Sequence, residues 1–245
     1  AINRFVNSNG TDKIFENKTV DQDASGNISF HVAADFYFNK KNTFGFILKG
    51  NEYRSKLYTP GTTLIKTNSI TDSSLNTIND NRQRTHRYNI NFNYKYEDTL
   101  GIEFNVDADY SVYKNNSNGL LTTDLLNELD IKYGYLANDQ DVHTGIKIYS
   151  IKTDLARQLK KLNAKVEAGL KWNVIQTTND LEAMVWSANE FKADTGRTNL
   201  FTYTETNYAA YASFSQKINK WEYQFGVRAE QSVIKGRSID LKNSR

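Results

Sequence analysis

Asp107 and Asp109 stand two residues apart, the spacing that puts two carboxylates on one face of an extended strand. Such a pair can divide acid and base roles, or it can hold neighbouring cations. Lys171 and Arg228 lie on the polar side of their own alternating runs, so cation pairing is the expected role. The stretch DQDASGNI at 21–28 imitates the opening of an EF-hand calcium loop, with Asp21, Asp23, Ser25 and Gly26 at ligand and turn positions. Its twelfth position is Val32, where a bidentate glutamate belongs. A solvated turn is expected there, and NDQD at 138–141 is a weaker imitation. His31, His86 and His143 are too far apart for metal-ligand spacing. The sequence lacks hydrolase, zinc-protease, phosphate-loop and dinucleotide-binding signatures. No catalytic residue, cofactor or metal is expected, and the chain reads as something other than an enzyme.

The elements that hold these residues are strands. Fifteen tyrosines and thirteen phenylalanines accompany a single proline, Pro60. Aromatic and β-branched residues suit a pleated surface, and proline would remove ladder donors. Alternation is explicit. Tyr88, Ile90, Phe92, Tyr94 and Tyr96 interleave with Asn89, Asn91, Asn93 and Lys95. Phe104, Val106, Ala108, Tyr110 and Val112 interleave with Glu103, Asn105, Asp107, Asp109 and Ser111. Residues 164–174 and 221–233 repeat the pattern. Period two over such lengths belongs to strands.

Short polar turns, NKKN at 39–42, EDT at 97–99, KKLN at 160–163 and INK at 218–220, punctuate the runs. They recur about every 60 residues, the span of two long strands and a connection. Polar stretches at 58–83, 115–142 and 179–199 are expected to be long loops. Tight turns on one edge and long loops on the other describe a bacterial outer-membrane barrel. The longest runs exceed the roughly 9–11 residues that cross a bilayer at a tilt. A soluble sandwich strand averages about 5–6 residues, so a soluble β-rich binding protein is the lesser alternative.

The composition agrees. No run of about 18 apolar residues exists, which excludes a transmembrane helix but not crossing strands. With 31 basic and 28 acidic residues the net charge of +3 argues against nucleic acid. Cysteine is absent, so neither a disulfide framework nor a thiolate metal site is available. The opening AINRFVNSNG has no apolar leader core, as expected of a processed chain or an internal segment. The predicted fold is an all-β, transmembrane, antiparallel up-and-down β-barrel.

Two faces follow. Tyr94, Tyr96, Tyr110, Trp172, Trp221 and Tyr223 are expected to form lipid-facing aromatic girdles, because amphipathic rings prefer the headgroup boundary. Phe36, Tyr37 and Phe38 are expected with the first girdle, and Tyr113, Tyr208 and Tyr211 with the second. Glu103, Asp107, Asp109, Lys171, Glu205, Arg228 and Glu230 are expected to face a lumen or a plug. So many charges on one face suit a wide, wet interior.

The segment FTYTETNYAAYASFSQKINKWEYQFGVRAEQSVIKG at 201–236 resembles the Bacteroidota outer-membrane β-barrel proteins related to TonB-dependent receptors. The likeness rests on Tyr203, Glu205, Asn207, Ala209 to Ser213, Trp221, Gly226, Arg228 and Glu230, and extends over most of 27–236. It implies a barrel of about 22 strands with an N-terminal plug, driven by the TonB energising complex. Implied partners are outer-membrane lipid, a plug domain, the TonB complex and a surface lipoprotein or other envelope protein. Against that pattern the whole of 1–245 reads as one barrel-domain segment with no plug recognised, so a portion of a larger barrel is expected. The implied role is substrate uptake across the bacterial outer membrane. The alternative is a structural barrel in an envelope complex, without a transport cycle.

Overall fold

A computed structural model describes residues 2–8 and 11–240. They form one antiparallel, up-and-down sheet of 11 strands. In chain order these are β1 (Ile2–Ser8), β2 (Thr11–Thr19), β3 (Gln22–Asn39), β4 (Asn42–Thr67), β5 (Ile70–Glu97) and β6 (Ile102–Asn127). There follow β7 (Lys132–Leu159), β8 (Ala164–Ser187), β9 (Glu190–Ala193), β10 (Asn199–Ile218) and β11 (Trp221–Asp240). The only helical element among the described residues is a 3-10 turn, Lys160–Leu162. The sheet is open, with β1 and β3 along one side and β11 along the other.

Pro60 explains the one interruption. Both β2 and β3 pair with β4, the first against Gly61–Thr67 and the second against Asn42–Tyr58. They continue one line, parted where proline has no N–H to offer. The carbonyl of Pro60 still accepts from the backbone N–H of Val20 at 3.1 Å, and the Thr59 hydroxyl donates to Asp21 at 2.8 Å. Residues 22–28 are therefore strand, not the solvated turn that the EF-hand resemblance suggested, and NDQD lies inside β7.

All four short turns fall where the sequence places them. At the β5–β6 turn the Asp98 carboxylate accepts from the N–H of Leu100 and of Ile102, both at 2.9 Å, and Gly101 adopts φ +88°. The β6–β7 turn, at the opposite edge, repeats this device. Asn127 accepts from Leu129 at 3.0 Å and Ile131 at 2.9 Å, with Asp130 at φ 58°.

The long loops are corrected. Residues 58–83, 115–142 and 179–199 mostly continue the strands as hairpins. Two of their tips are two-residue turns, Asn68-Ser69 and Ala188-Asn189, with positive φ at both positions, the signature of a type I′ turn. Polar character misled because both faces of these extensions meet water. Apolar alternation fades there, while the backbone still gains by pairing. Beyond β9, Arg197 donates to Asp194 at 2.6 Å and to Asn138 at 2.8 Å, tying this corner to β7. The Arg197 hydrogen bond holds the Asp194 carboxyl below the usual carboxylate range.

The register fixes the tilt. One hydrogen-bonding line passes through Asn42, Tyr96, Phe104, Leu155, Ala168, Ala212 and Val227. It starts just past the turn at Lys41 and ends well past the turn at Lys220, having drifted about one residue per strand. With the turns at one level, about 3.3 Å per residue against 4.8 Å between strands tilts the strands by about 35°. Transmembrane barrels tilt by about 35–45°. The apolar faces of β6 from Ile102 to Val112 and of β8 from Ala164 to Val174 then stand about 30 Å tall, the thickness of a hydrocarbon core.

The two backbone hydrogen bonds to Asp98, that from Ile102 foremost, hold its carboxyl below the usual carboxylate range. A group depressed in the folded state stabilises it above the unfolded pKa and loses that contribution as pH falls through the folded value. In thermal unfolding scans, Asp98→Ala is expected to lower the midpoint at neutral pH. Asp98→Asn, which keeps the acceptor, should retain most stability and remove this turn's share of the acid sensitivity below the usual carboxylate range.

Candidate functional site

Residues directly opposite each other in an antiparallel pair share a face, so the register sorts every strand residue. Asp107 faces Lys152, Lys152 faces Lys171, Lys171 faces Ala209, and Ala209 faces Glu230. Glu103, Asp109, Glu205 and Arg228 have the same parity, through Ala156, Ser150, Ile175 and Tyr211. The seven charged residues singled out in the sequence thus share one face of the sheet. Tyr96 faces Phe104, Tyr94 faces Val106, Tyr110 faces Tyr149, and Trp172 lies between Ile151 and Tyr208. Trp221 and Tyr223 face Ile218 and Gln216. Those six aromatics share the other face.

Hydrogen bonds and ion pairs run both across and along the strands of the polar face. Asn91 donates to Asp109 at 3.0 Å and Asn89 to Ser111 at 2.9 Å. Glu205 accepts from Tyr203 at 2.6 Å and Asn207 at 2.8 Å. Arg228 pairs with Glu230 at 2.5 Å, Lys152 with Asp154 at 2.6 Å and Lys165 with Glu167 at 2.5 Å. Lys171 and Arg228 therefore do not neutralise Asp107 and Asp109 directly. The nearest cation across the ladder from Asp107 is Lys152, which sequence reasoning passed over.

Tyr37, Tyr113 and Tyr211 depart from their expected girdles. Tyr37 faces Thr43, Tyr113 faces Arg87, and Tyr211 faces Gly169 and Arg228, all on the polar side. Parity carries the reason: Tyr110 and Tyr113, or Tyr208 and Tyr211, lie three apart and must point to opposite faces of a strand. Tyr211 instead covers Gly169 and donates to Asp154. The Arg87 guanidinium lies 5.4 Å from the centre of the Tyr113 ring.

The other face has few side-chain hydrogen bonds and no covering layer among the described residues. Leu170 is 62% exposed, Phe225 68% and Val227 74%. Rings cluster where it meets the turns, with Phe44 and Tyr94 centred 4.9 Å apart and Tyr94 bonded to Asn42 at 2.6 Å. Tyr110 and Tyr149 also lie 4.9 Å apart. A contiguous apolar surface of this extent is not left to water.

A Cβ added at Gly169 would lie 2.3 Å from the Tyr211 ring and 2.7 Å from the Asp154 carboxylate. Gly169→Ala is therefore expected to displace Tyr211 and to cost about 1–3 kcal/mol, as overpacking does. Tyr211→Phe, which keeps the ring over Gly169, should cost less. Unfolding of refolded protein in detergent and denaturant checks the order, and equal losses would contradict it.

A family model described as an outer membrane protein beta-barrel family matches residues 95–245, from the end of β5 through β11. No curated protein matches the chain. The matched span includes the polar-face residues from Glu103 to Glu230 and every β6–β11 aromatic of the apolar face named above. The chain belongs to this outer membrane protein beta-barrel family, and its place is the bacterial outer membrane.

Proposed function

We propose that the sheet is part of the wall of a wide outer-membrane barrel that carries a substrate inward, in the manner of TonB-dependent receptors. The apolar face, with Tyr94, Tyr96, Tyr110, Trp172, Trp221 and Tyr223, meets lipid. The polar face, with Glu103, Asp107, Asp109, Lys171, Glu205, Arg228 and Glu230, meets a hydrated lumen or a plug. The observation that carries this reading is that the charged and amide side chains from Asn89 and Asn91, through Asp107, Asp109 and Lys171, to Arg228 and Glu230 lie on the one face opposite the apolar band. In a narrow barrel, facing side chains would fill the interior, whereas a wide one leaves its wall groups to water or an inserted domain.

Open sheet edges fit the same reading. Unpaired backbone groups cost several kcal/mol each in hydrocarbon, about as much as any buried unsatisfied polar group, so further strands would complete the wall along β3 and β11. The plug and the TonB energising complex are partners of this proposal, and the work done is passage, not catalysis. The stiff hairpins outside the apolar band favour a second role. From Tyr88 outward, β5 runs to Ile70, about 50 Å along a tilted strand. A rigid palisade of that kind suits the docking of a surface lipoprotein or another envelope protein, as a scaffold barrel would.

Planar-bilayer recordings of the full-length protein test passage. Urea-opened or plug-free channels are expected to prefer cations, and Asp107→Asn with Asp109→Asn should weaken that preference. Solute uptake by cells should fall when the TonB complex is depleted. Absence of conductance in every condition, with uptake unchanged, would favour the scaffold reading.

A further inference from the structure

The outer rim of the apolar face carries a cluster of bases that outnumber the carboxylates paired with them. Along β4 that face runs Phe46, Leu48 and Gly50, then Glu52, Arg54 and Lys56. Along β5 it runs Phe92, Ile90 and Tyr88, then His86, Arg84 and Arg82. The register sets Arg54 directly opposite Arg84, and Lys56 directly opposite Arg82. Like charges in directly opposed positions destabilise a strand pair. Two carboxylates answer them in part. Glu52 lies 3.8 Å from Arg54, and Asp80 lies 3.2 Å from Arg82 and 3.9 Å from Lys56. Arg84 and the neighbouring Lys114 form no ion pair within 4.0 Å among the described residues.

The surroundings leave these bases open. Gly26 and Ala24 stand opposite Arg54 and Lys56 on β3, and a Cβ at Gly26 would touch nothing. Asn116 and Asn118 flank the other side. Between them lies a cleft of about 580 Å³, with Asp141 on its far wall held by Asn118 at 3.1 Å. The side chains of Arg54, Lys56 and Arg82 are 65%, 52% and 64% exposed. Arg84 sits about 11 Å beyond Tyr88 along the tilted strand, at the depth where lipid headgroups begin outside the hydrocarbon.

We propose that this cleft binds the phosphate groups of a phosphorylated glycolipid of the outer leaflet. The inference rests on the apolar face meeting lipid. A phosphate seated between Arg54 and Arg84 converts their cross-strand repulsion into attraction, while Lys56 and Arg82, which share Asp80, add further positive charge beside it. Guanidinium forks match phosphate oxygens two at a time. The amide of Asn116 adds a neutral donor, and the glycolipid's chains lie along Tyr88, Ile90 and Leu48.

The full-length protein, reconstituted in vesicles containing either phosphorylated lipid A or the same glycolipid stripped of phosphate, gives the test. Native mass spectrometry counts the glycolipid retained after extraction. Wild-type protein is expected to retain the phosphorylated form preferentially. Each base removed in a series ending at Arg54→Ser, Lys56→Ser, Arg82→Ser and Arg84→Ser should weaken retention about fivefold. Lys171→Ser, on the opposite face, should leave it unchanged. Inorganic phosphate should not displace the lipid, and displacement would assign the cleft to a soluble anion and overturn the proposal. Equal retention of both glycolipids, or equal retention by wild type and the fourfold variant, would overturn it too. Failure of the protein to float with the vesicles would instead overturn the barrel-wall reading.

Discussion

Backbone pairing in a medium without water is the constraint from which the rest of this sheet follows. Hydrocarbon offers no partner to an N–H or C=O group, so each must find one in a neighbouring strand. From β3 across to β11 the ladder is continuous through the apolar band, and its register runs strand to strand with few shifts. The exception is instructive. Pro60, which lacks a donor, stands ten residues beyond Gly50 on β4, on the watery side of the rim, and only there does the β2–β3 line part.

A continuous register also turns a one-dimensional alternation into two surfaces. Since opposed residues share a face, the parity of one strand fixes that of its neighbour, and a single slip would bury charges in lipid. The polar surface needs no core to satisfy it. Its asparagines, tyrosines and ion pairs bind one another along and across strands, as Asn91 does Asp109 and Tyr203 does Glu205. The apolar surface has few such partners, Tyr94 with Asn42 among them, and depends on what surrounds the protein. This difference separates a barrel wall from a sandwich, in which two apolar faces would meet each other.

Much of this was legible in the residues. Period-two runs such as 102–112 and 164–174 expose face and strand together, and the tight turns carry their own chemistry in Asp98, Gly101 and Asn163. The hairpins beyond the rim were hidden because water on both sides removes the apolar half of the signal. Asn68 and Asn189, residues that tolerate positive φ, were the clues available there. Ala188 offered none. The covering of Gly169 by Tyr211 joins residues on neighbouring strands, and only the register brings them together. The same holds for the basic rim, where Arg54 and Arg84 are thirty positions apart in sequence yet face each other.

The chain has no cysteine, so single cysteines introduced along Ile102–Val112 of β6 report on one position each. In the native membrane, a water-soluble maleimide is expected to label positions 103, 105, 107, 109 and 111. Positions 104, 106, 108 and 110 should resist it and instead be quenched, once carrying a fluorophore, by a nitroxide in the lipid chains. Labelling without this alternation, or lipid quenching at both sets of positions, would contradict the central claim that one face of the sheet meets hydrocarbon and the other meets water.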